Sequence, residues 1–551
     1  MARPKLRIIP LGGLGEIGKN MTVFEIGNDA IIIDTGLMFP ANDMHGVDYI
    51  IPDFRYLQNR TDLNILAILY THGHEDHIGA AEHVVEAFPG VPIYATPLTA
   101  GLLEVKLKEA RLTDQTQLNV FKSGDKLEIG PFKIESFHVC HSIPDCVGFA
   151  LHTPYGLIVH SGDYKFDNTP IDGKRPDYAR LAQFSKQGVL LLMADSTNAD
   201  LPGWTPSEAV IDGAFDKVFR EAKGRILVAT FASLISRVQQ VTNAAKRHGR
   251  KIAIAGHSMS ENVKMARKMG ILDLPDDMLL DVNRMNSTSP HKIVIMVTGS
   301  QGEPSSVLSR ISTGKYRAIE VEKDDTIILS SHPIPGNEET VYRTINRLFQ
   351  KGANVIYDPI AAVHVSGHAR QEEMRLLLNL TRPKYFLPIH GELRHLHEHS
   401  KIAVQCGVNP DNIFVMENGN VLEVDKYGIR VTERVPGEYV FVDGSSVGDV
   451  GRIVMRDREI LSKDGFLLVA VNIDSRTRQL IGEPEVISRG FIYLRDSDDL
   501  LVQVRDVVQE TLTSSARSNG RLREKLQENI ARVLYSETKR RPMVFSIVNE
   551  R

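Results

Sequence analysis

Residues 64–80 read NILAILYTHGHEDHIGA. The apolar run NILAILY suits a strand covered on both faces, so the polar cluster that follows must sit where the strand leaves its sheet. Loops at such edges can gather ligands from several elements. His72 and His74 share one direction in extended chain, while Asp76 and His77 fall where a helix, IGAAEHVVEAF, begins. Two clusters imply two metal ions. One zinc takes three or four N/O ligands, so this loop is incomplete by itself. Other apolar segments run into ligand-type residues in the same way: FKIESFHVC into His141, GLIVHSG into Asp163 and YFLPI into His390. The expected partition is His72, His74 and His141 on one ion, Asp76, His77 and His390 on the other, and Asp163 between them. Two divalent ions about 3.5–4 Å apart lower the pKa of a shared water far enough to make it a nucleophile at neutral pH.

The surrounding chain sets these loops in an α/β frame. LRIIPL, MTVFEI, AIIIDTG and GVLLLMADST read as strands, and PLTAGLLEVKLKEARL as a helix between strands. Thr205-Pro206-Ser207-Glu208 has the form of a capping box with proline at the first helical position, so a new unit is expected to start there. Strands and helices then alternate in a doubly wound rhythm. VHVSGHA and YFLPIHGE return to the strand-then-polar texture of the first block, which makes the middle an insertion. The expected organisation is one domain in two parts, 1–203 and 356–427, an insertion at 204–355, a linker at 428–455 and a small α+β unit at 456–551. In that last unit, segment 515–541 carries eight Arg or Lys against three Glu, read as a solvated helix face before an RNA or partner contact.

Several features look like sites and are not read as such. Gly13-Leu14-Gly15-Glu16-Ile17-Gly18 matches a dinucleotide fingerprint, but KNMTVFEIGNDAIIID reads as two strands where a helix would be required. His395, His397 and His399 fall in a polar helical stretch and are expected at the surface. Cys140 and Cys146 flank His141 and are expected to pack in the core. Asp48 and Asp53 in GVDYIIPD offer a possible further hard-cation site, with a solvated loop as the competing reading. With 65 Lys and Arg against 69 Asp and Glu the net charge is −4, so no global cationic field drives nucleic-acid binding and any such binding must be local. Three cysteines give no disulfide framework and suit a reducing compartment, the cytoplasm. No apolar run approaches the ~20 residues that span a bilayer, and no membrane association is expected.

His72-x-His74-x-Asp76-His77, with Asp34 before it and His141, Asp163 and His390 after it, resembles the hydrolytic site of the metallo-β-lactamase superfamily. The resemblance implies a four-layer αββα sandwich, with Asp34 orienting the ligand loop from behind. ADSTNA (194–199), SGHA (366–369) and PIHGE (388–392) are similar to signature stretches of the β-CASP nucleases and map to Asp195, His368 and His390. TFASLISRVQQ, TGSQGEP, GGLGEIGKNM, GDYKFD and SRGFIYLRDS extend the likeness to the ribonuclease J family over nearly the whole chain. What this implies is an αββα metallo-β-lactamase sandwich with an inserted doubly wound α/β β-CASP domain and a C-terminal oligomerisation module.

The implied activity is hydrolysis of single-stranded RNA with two divalent ions, Zn2+ first and Mn2+ second. Asp76, Asp195 and His368 are the expected catalytic residues, His368 giving a proton to the leaving group while Asp195 holds it. Ser233, His364, Val365, Ser366, Gly367 and His368 are expected near a pocket for a 5′ phosphate, which implies 5′-to-3′ exonuclease action on monophosphate ends, with internal cleavage beside it. Homodimers or homotetramers and RNA-decay protein partners are implied as well. Leu234, Ser236 and His257 depart from the residues common in the family, where they would line the RNA path. The competing expectations are a hydrolase of small esters or thioesters, and a DNA-directed β-CASP nuclease.

Overall fold

A computed structural model of the chain describes residues 5–41, 43–301, 306–334, 337–358, 360–477, 479–491, 498–515 and 521–551. Parts of the TGSQGEP and SRGFIYLRDS motifs and of the basic 515–541 segment lie outside them. The chain divides into two compact units, Met1–Phe39 with Ile50–Val440, and Pro40–Tyr49 with Phe441–Arg551.

In the first unit two sheets carry the frame. One has eight strands and includes Leu6–Gly12, Met21–Ile26, Asp29–Ile33, Asn64–Leu69 and Asn420–Asp425. The other has six and includes Phe132–His138, Val147–Thr153, Gly156–His160, Val189–Asp195 and Tyr385–Ile389. Alternation along the strands sends one set of side chains between the sheets, where Phe24, Ile31 and Ile33 meet Phe149, Ile158 and Met193. The opposite faces, at Val23, Ile32 and Ile68 on one sheet and Val159 and Leu192 on the other, lie under helices through Val84, Leu98 and Leu103 and through Phe184, Met374 and Leu377. The layers are therefore αββα, as expected. Gly428–Arg434, at the start of the stretch read as a linker, is a strand that pairs with Asn420–Asp425 and lies at the edge of the eight-stranded sheet.

The strands Val189–Asp195 and Tyr385–Ile389 are parallel neighbours, and nearly all the chain between them is another structure. It contains a five-stranded parallel sheet whose spatial order is Lys251–Ala255, Ile293–Val297, Ile226–Ala229, Thr326–Leu329 and Asn354–Ile356. Helices Val210–Glu221, Ile235–Arg247, His257–Lys268 and Glu338–Gln350 accompany it, the doubly wound pattern of an insertion. The expected capping box is absent. The helix starts at Val210, and no side chain caps its first turn. Thr205 instead donates from Oγ1 to the His368 carbonyl, and Glu208 accepts from Arg237 and Lys165. With its carboxylate taken up by these two cations, Glu208 is not available to cap the helix.

The glycine-rich start contains no helix. Leu14–Gly15 pairs with Gly391–Glu392, and Met21–Ile26 then forms an antiparallel pair with Asp29–Ile33. The second unit has a sheet in which Phe466–Ile473 lies between Glu485–Arg489 and Met543–Glu550. Helices Asp498–Ser515 and Leu522–Thr538 cover one face of it, with Val504, Val508, Leu526 and Ile530 against Leu467, Val469 and Val471. No helix among the described residues is long and apolar enough to cross a membrane.

Candidate metal centre

The residues singled out at strand ends meet in space, because each strand delivers its ligand beyond its carboxyl end. Asp34 follows Asp29–Ile33, His72 to His77 follow Asn64–Leu69, and His141 follows Phe132–His138. Asp163 follows Gly156–His160, Asp195 closes Val189–Asp195, and His390 follows Tyr385–Ile389. The close approach of these loops needs small residues. A Cβ on Gly36 would lie 1.6 Å from the Asp76 carbonyl oxygen, and one on Gly367 would lie 2.5 Å from the His141 ring.

His72, His74 and His141 form one group of ligand atoms and Asp76, His77, Asp163 and His390 another, each within 4.8 Å of one another. His74 Nδ1 lies 3.1 Å from His72 Nε2 and 3.0 Å from His141 Nε2. Zinc–nitrogen bonds of 2.0–2.1 Å place tetrahedral ligand atoms roughly 3.3 Å apart, so these spacings suit the edges of one coordination shell. In the second group, His390 Nε2 lies 3.1 Å from Asp76 Oδ2 and His77 Nε2 lies 3.2 Å from Asp163 Oδ2.

The most informative atom is Asp163 Oδ2. It is buried and makes no well-directed hydrogen bond, yet Nε2 of His72 and of His141 are each 3.7 Å away, and His390 Nε2 is 3.8 Å away. A buried carboxylate oxygen without a donor is costly unless a cation meets it. The donor set of imidazoles and carboxylates around it fits two divalent ions with Asp163 between them.

The outward nitrogen of most of these rings is already fixed by the protein. His77 Nδ1 is 2.8 Å from Asp34 Oδ2, and Asp34 also accepts from the Thr71 amide and hydroxyl. Asp34 holds a left-handed backbone, φ 61°, to reach both. His141 Nδ1 donates to the Gly367 carbonyl at 2.7 Å. Burial pushes His72 and His141 well below the ordinary imidazole range, neighbouring imidazoles adding to it, and takes His74 down to about 4. All three stay neutral and ready to coordinate. Burial works against ionised Asp163, but His390 and His77 override it and hold the carboxyl well below its usual range.

A third group joins Asp163, Asp195, His368 and His390. His368 Nδ1 lies 2.8 Å from Asp195 Oδ2. Burial opposes its charge, but Asp195 prevails and the pKa of His368 rises. The 364–368 loop is tied on several sides. Ser366 Oγ accepts from Asn198, Lys165 Nζ donates to the Ser366 carbonyl at 3.2 Å, and Arg237 Nη1 donates to the Val363 carbonyl at 2.8 Å. Val365 is buried, and His364 is half-buried, with its enclosed Nδ1 free of any hydrogen bond. Ser233 is buried at the head of the helix that carries Arg237, and its carbonyl accepts the Ile235 amide. The buried charge network of Lys165, Glu208 and Arg237 has no local sequence signature, because it joins elements far apart in the chain.

Of the departing residues, Leu234 is buried and His257 pairs with Glu109 at 3.0 Å. Ser236 donates to the Ser142 carbonyl beside His141, at 2.7 Å, and lines a cavity of about 170 Å³. Cys140 and Cys146 are buried, and burial pushes the Cys140 thiol up to about 12. His397 is exposed, but His395 and His399 are buried, which corrects the surface expectation. The helix Leu393–Gln405 lays its 395/399 face on the sheet, where the His399 ring meets Phe386 at 4.7 Å and Nδ1 meets Ser196 Oγ at 2.9 Å. Asp53 is fully buried and bound by Arg55, while Asp48 accepts from the Gly444 amide. Neither belongs to a metal-capable group among the described residues.

Comparison with known families agrees with this geometry. Residues 14–201 match the metallo-beta-lactamase superfamily, and 223–348 match the description Ribonuclease J, beta-CASP domain. Residues 352–413 match the Zn-dependent metallo-hydrolase RNA specificity domain, and 453–551 the Ribonuclease J C-terminal domain. Ribonuclease J2 of Bacillus subtilis (strain 168) is 40% identical over 99% of this chain and 98% of its own length. Ribonuclease J 1 of Streptococcus pyogenes serotype M3 is 37% identical over 98% and 97%, and ribonuclease J of a Synechocystis strain 40% over 98% and 86%. A crystal structure of a protein of unknown function from Enterococcus faecalis V583 shares the fold at TM-score 0.53 and 13% identity, over 76% of this chain and all of its own. With full-length relatives at this identity and four family descriptions along its length, the chain belongs to the ribonuclease J family.

Proposed function

We propose that the chain is a metal-dependent ribonuclease that hydrolyses phosphodiesters of single-stranded RNA. The observation that carries this reading is the convergence on Asp163 Oδ2, a buried acceptor without a well-directed donor, of four imidazoles from three separate loops. His72, His74 and His141 would hold one divalent ion, and Asp76, His77 and His390 the other, with Asp163 shared. When bound, the pair supplies Lewis-acid charge at the phosphoryl oxygens and lowers the pKa of water. Zinc suits the donor set first and manganese second.

The chain's own residues do the rest. Asp195 occupies Nδ1 of His368, so Nε2 is the atom that presents a proton to the departing ribose oxygen. Gly367 accepts His141 Nδ1–H through its carbonyl, which fixes the ligand and the 366–368 loop in one register. Ser366 and Gly367, being small, let backbone amides approach a terminal phosphate, and His364 with its free Nδ1 stands beside them. This supports 5′-to-3′ exonuclease action on monophosphate ends, with internal cleavage where a chain can enter without its end. Val365 and Ser233 contribute shape to that pocket. The domain plan divides the chain at residues 203 and 355 and again beyond the strand Gly428–Arg434, with the final unit joining copies into dimers or tetramers. The compartment is the cytoplasm. A small-ester or thioester hydrolase and a DNA-directed nuclease are less favoured, since neither calls for an RNA specificity domain.

The test compares decay of 5′-monophosphate and 5′-hydroxyl forms of one RNA, with and without a chelator. Faster, chelator-sensitive decay of the monophosphate RNA is expected. Equal rates remove the phosphate pocket, and chelator-insensitive decay removes the metal centre.

A further inference from the structure

Thr197 touches both halves of the site. Its Oγ1 lies 2.6 Å from His390 Nδ1 and 2.7 Å from Asp195 Oδ1, with the His390 carbonyl at 3.1 Å. Its own amide donates to Asp195 Oδ1 at 2.9 Å, which holds the side chain in register. A hydroxyl has one proton to give and lone pairs with which to accept. An ionised carboxylate can only accept and is the stronger acceptor, so the Thr197 proton goes to Asp195. His390 Nδ1 therefore faces a lone pair and carries the ring hydrogen. Only that tautomer leaves Nε2 bare, and Nε2 is the atom that faces Asp76 at 3.1 Å and Asp163 at 3.8 Å. The backbone at His390 is left-handed, φ 52°, a conformation costly for histidine that the surroundings must enforce. The Ser196 amide helps to hold it by donating to the His390 carbonyl at 3.2 Å. Asp195 meets His368 through its other oxygen.

We propose that Thr197 is a positioning residue whose hydroxyl selects the metal-accepting tautomer of His390 and ties that ring to Asp195, the partner of His368. The inference rests on the metal-centre reading and adds to it a residue outside the groups of ligand atoms. Valine has nearly the shape of threonine without the hydroxyl, so Thr197→Val takes away the near acceptor of His390 Nδ1 and leaves only Asp195 Oδ1, at 3.5 Å. Partners of this kind typically change metal affinity about 10–100-fold.

The experiment is a zinc titration of metal-stripped, full-length protein against a competing indicator, for the parent, Thr197→Val and Thr197→Ser, with circular dichroism to check folding. The parent is expected to take two ions. Thr197→Val is expected to keep one site at parental affinity and to weaken the other roughly 10–100-fold, while Thr197→Ser, which retains the hydroxyl, stays close to the parent. A Thr197→Val protein that binds both ions like the parent overturns the inference, as does Thr197→Ser falling equally far, or both sites weakening together in a folded protein. If Thr197→Val does not fold, Thr197→Ala against Thr197→Ser decides on the same criteria. A parent that takes no zinc removes the metal-centre reading and this inference together, which a parent taking two ions beside an unaffected Thr197→Val does not.

Discussion

His368 is the side chain whose removal separates chemistry from metal binding. It is held by Asp195 and stands 3.8 Å from Asp163 through Nδ1, but it lies outside the two ligand groups that account for the ions. His368→Ala is expected to retain its metal content, measured by plasma mass spectrometry, while turnover on RNA falls about 10²–10⁴-fold, the usual worth of a positioned acid. The pH profile carries a matching signature. Burial opposes charge on His368, but Asp195 raises its pKa, so the imidazolium persists above the ordinary histidine range and turnover falls only as pH rises through the raised value. Asp195→Asn removes the raising carboxylate, so this alkaline limb should move to lower pH; a limb that stays in place in single-turnover profiles assigns the proton to another group. At this scale much was legible, because ligand-type residues directly after apolar runs are rare and chemically specific. Thr197 and the buried His395 and His399 were not. A threonine in a polar stretch has no spacing signature, and the polar setting of the two histidines hid the i, i+4 face they share on the sheet.

At the level of elements, the helix Ile235–Arg247 is joined to the 364–368 loop through Arg237, which reaches the Val363 carbonyl. Arg237 is wholly buried and donates to Glu208, Gln240 and the Val363 carbonyl, and it also meets Ser330. Glu208 also accepts from Lys165, which holds the Ser366 carbonyl. Removing one member strands a buried charge, at a cost of about 3–5 kcal/mol. Arg237→Met should therefore lower the urea midpoint markedly, and its residual folded fraction should show a raised KM for 5′-monophosphate RNA, since the 364–368 loop loses its anchor. A stability equal to the parent's would show that the network is dispensable. The strands and the doubly wound helices were readable from periodicity, as was the false dinucleotide fingerprint, since paired strands follow it. The capping box was misread because Thr205 and Glu208 serve partners as distant as His368 and Arg237, which local pattern cannot display.

Over the whole molecule, the αββα sandwich positions strand ends, the insertion supplies the helix behind the 364–368 loop, and the second unit presents a sheet with an open edge. Phe545 and Ile547 are exposed on its strand Met543–Glu550, which among the described residues pairs on one side only. Sedimentation of the full chain should give a dimer or tetramer, and a chain ending at residue 450 should give a monomer; an unchanged oligomer would move the contact elsewhere. On the reading proposed above, scattered loops build one two-ion centre around Asp163. It is tested most directly by stepwise return of zinc to the stripped protein, with bound metal per chain and RNA cleavage followed in the same samples. Two ions per chain, with cleavage recovering as the second site fills, is the predicted result. Full cleavage in the stripped protein, or saturation well below one ion per chain, would contradict it.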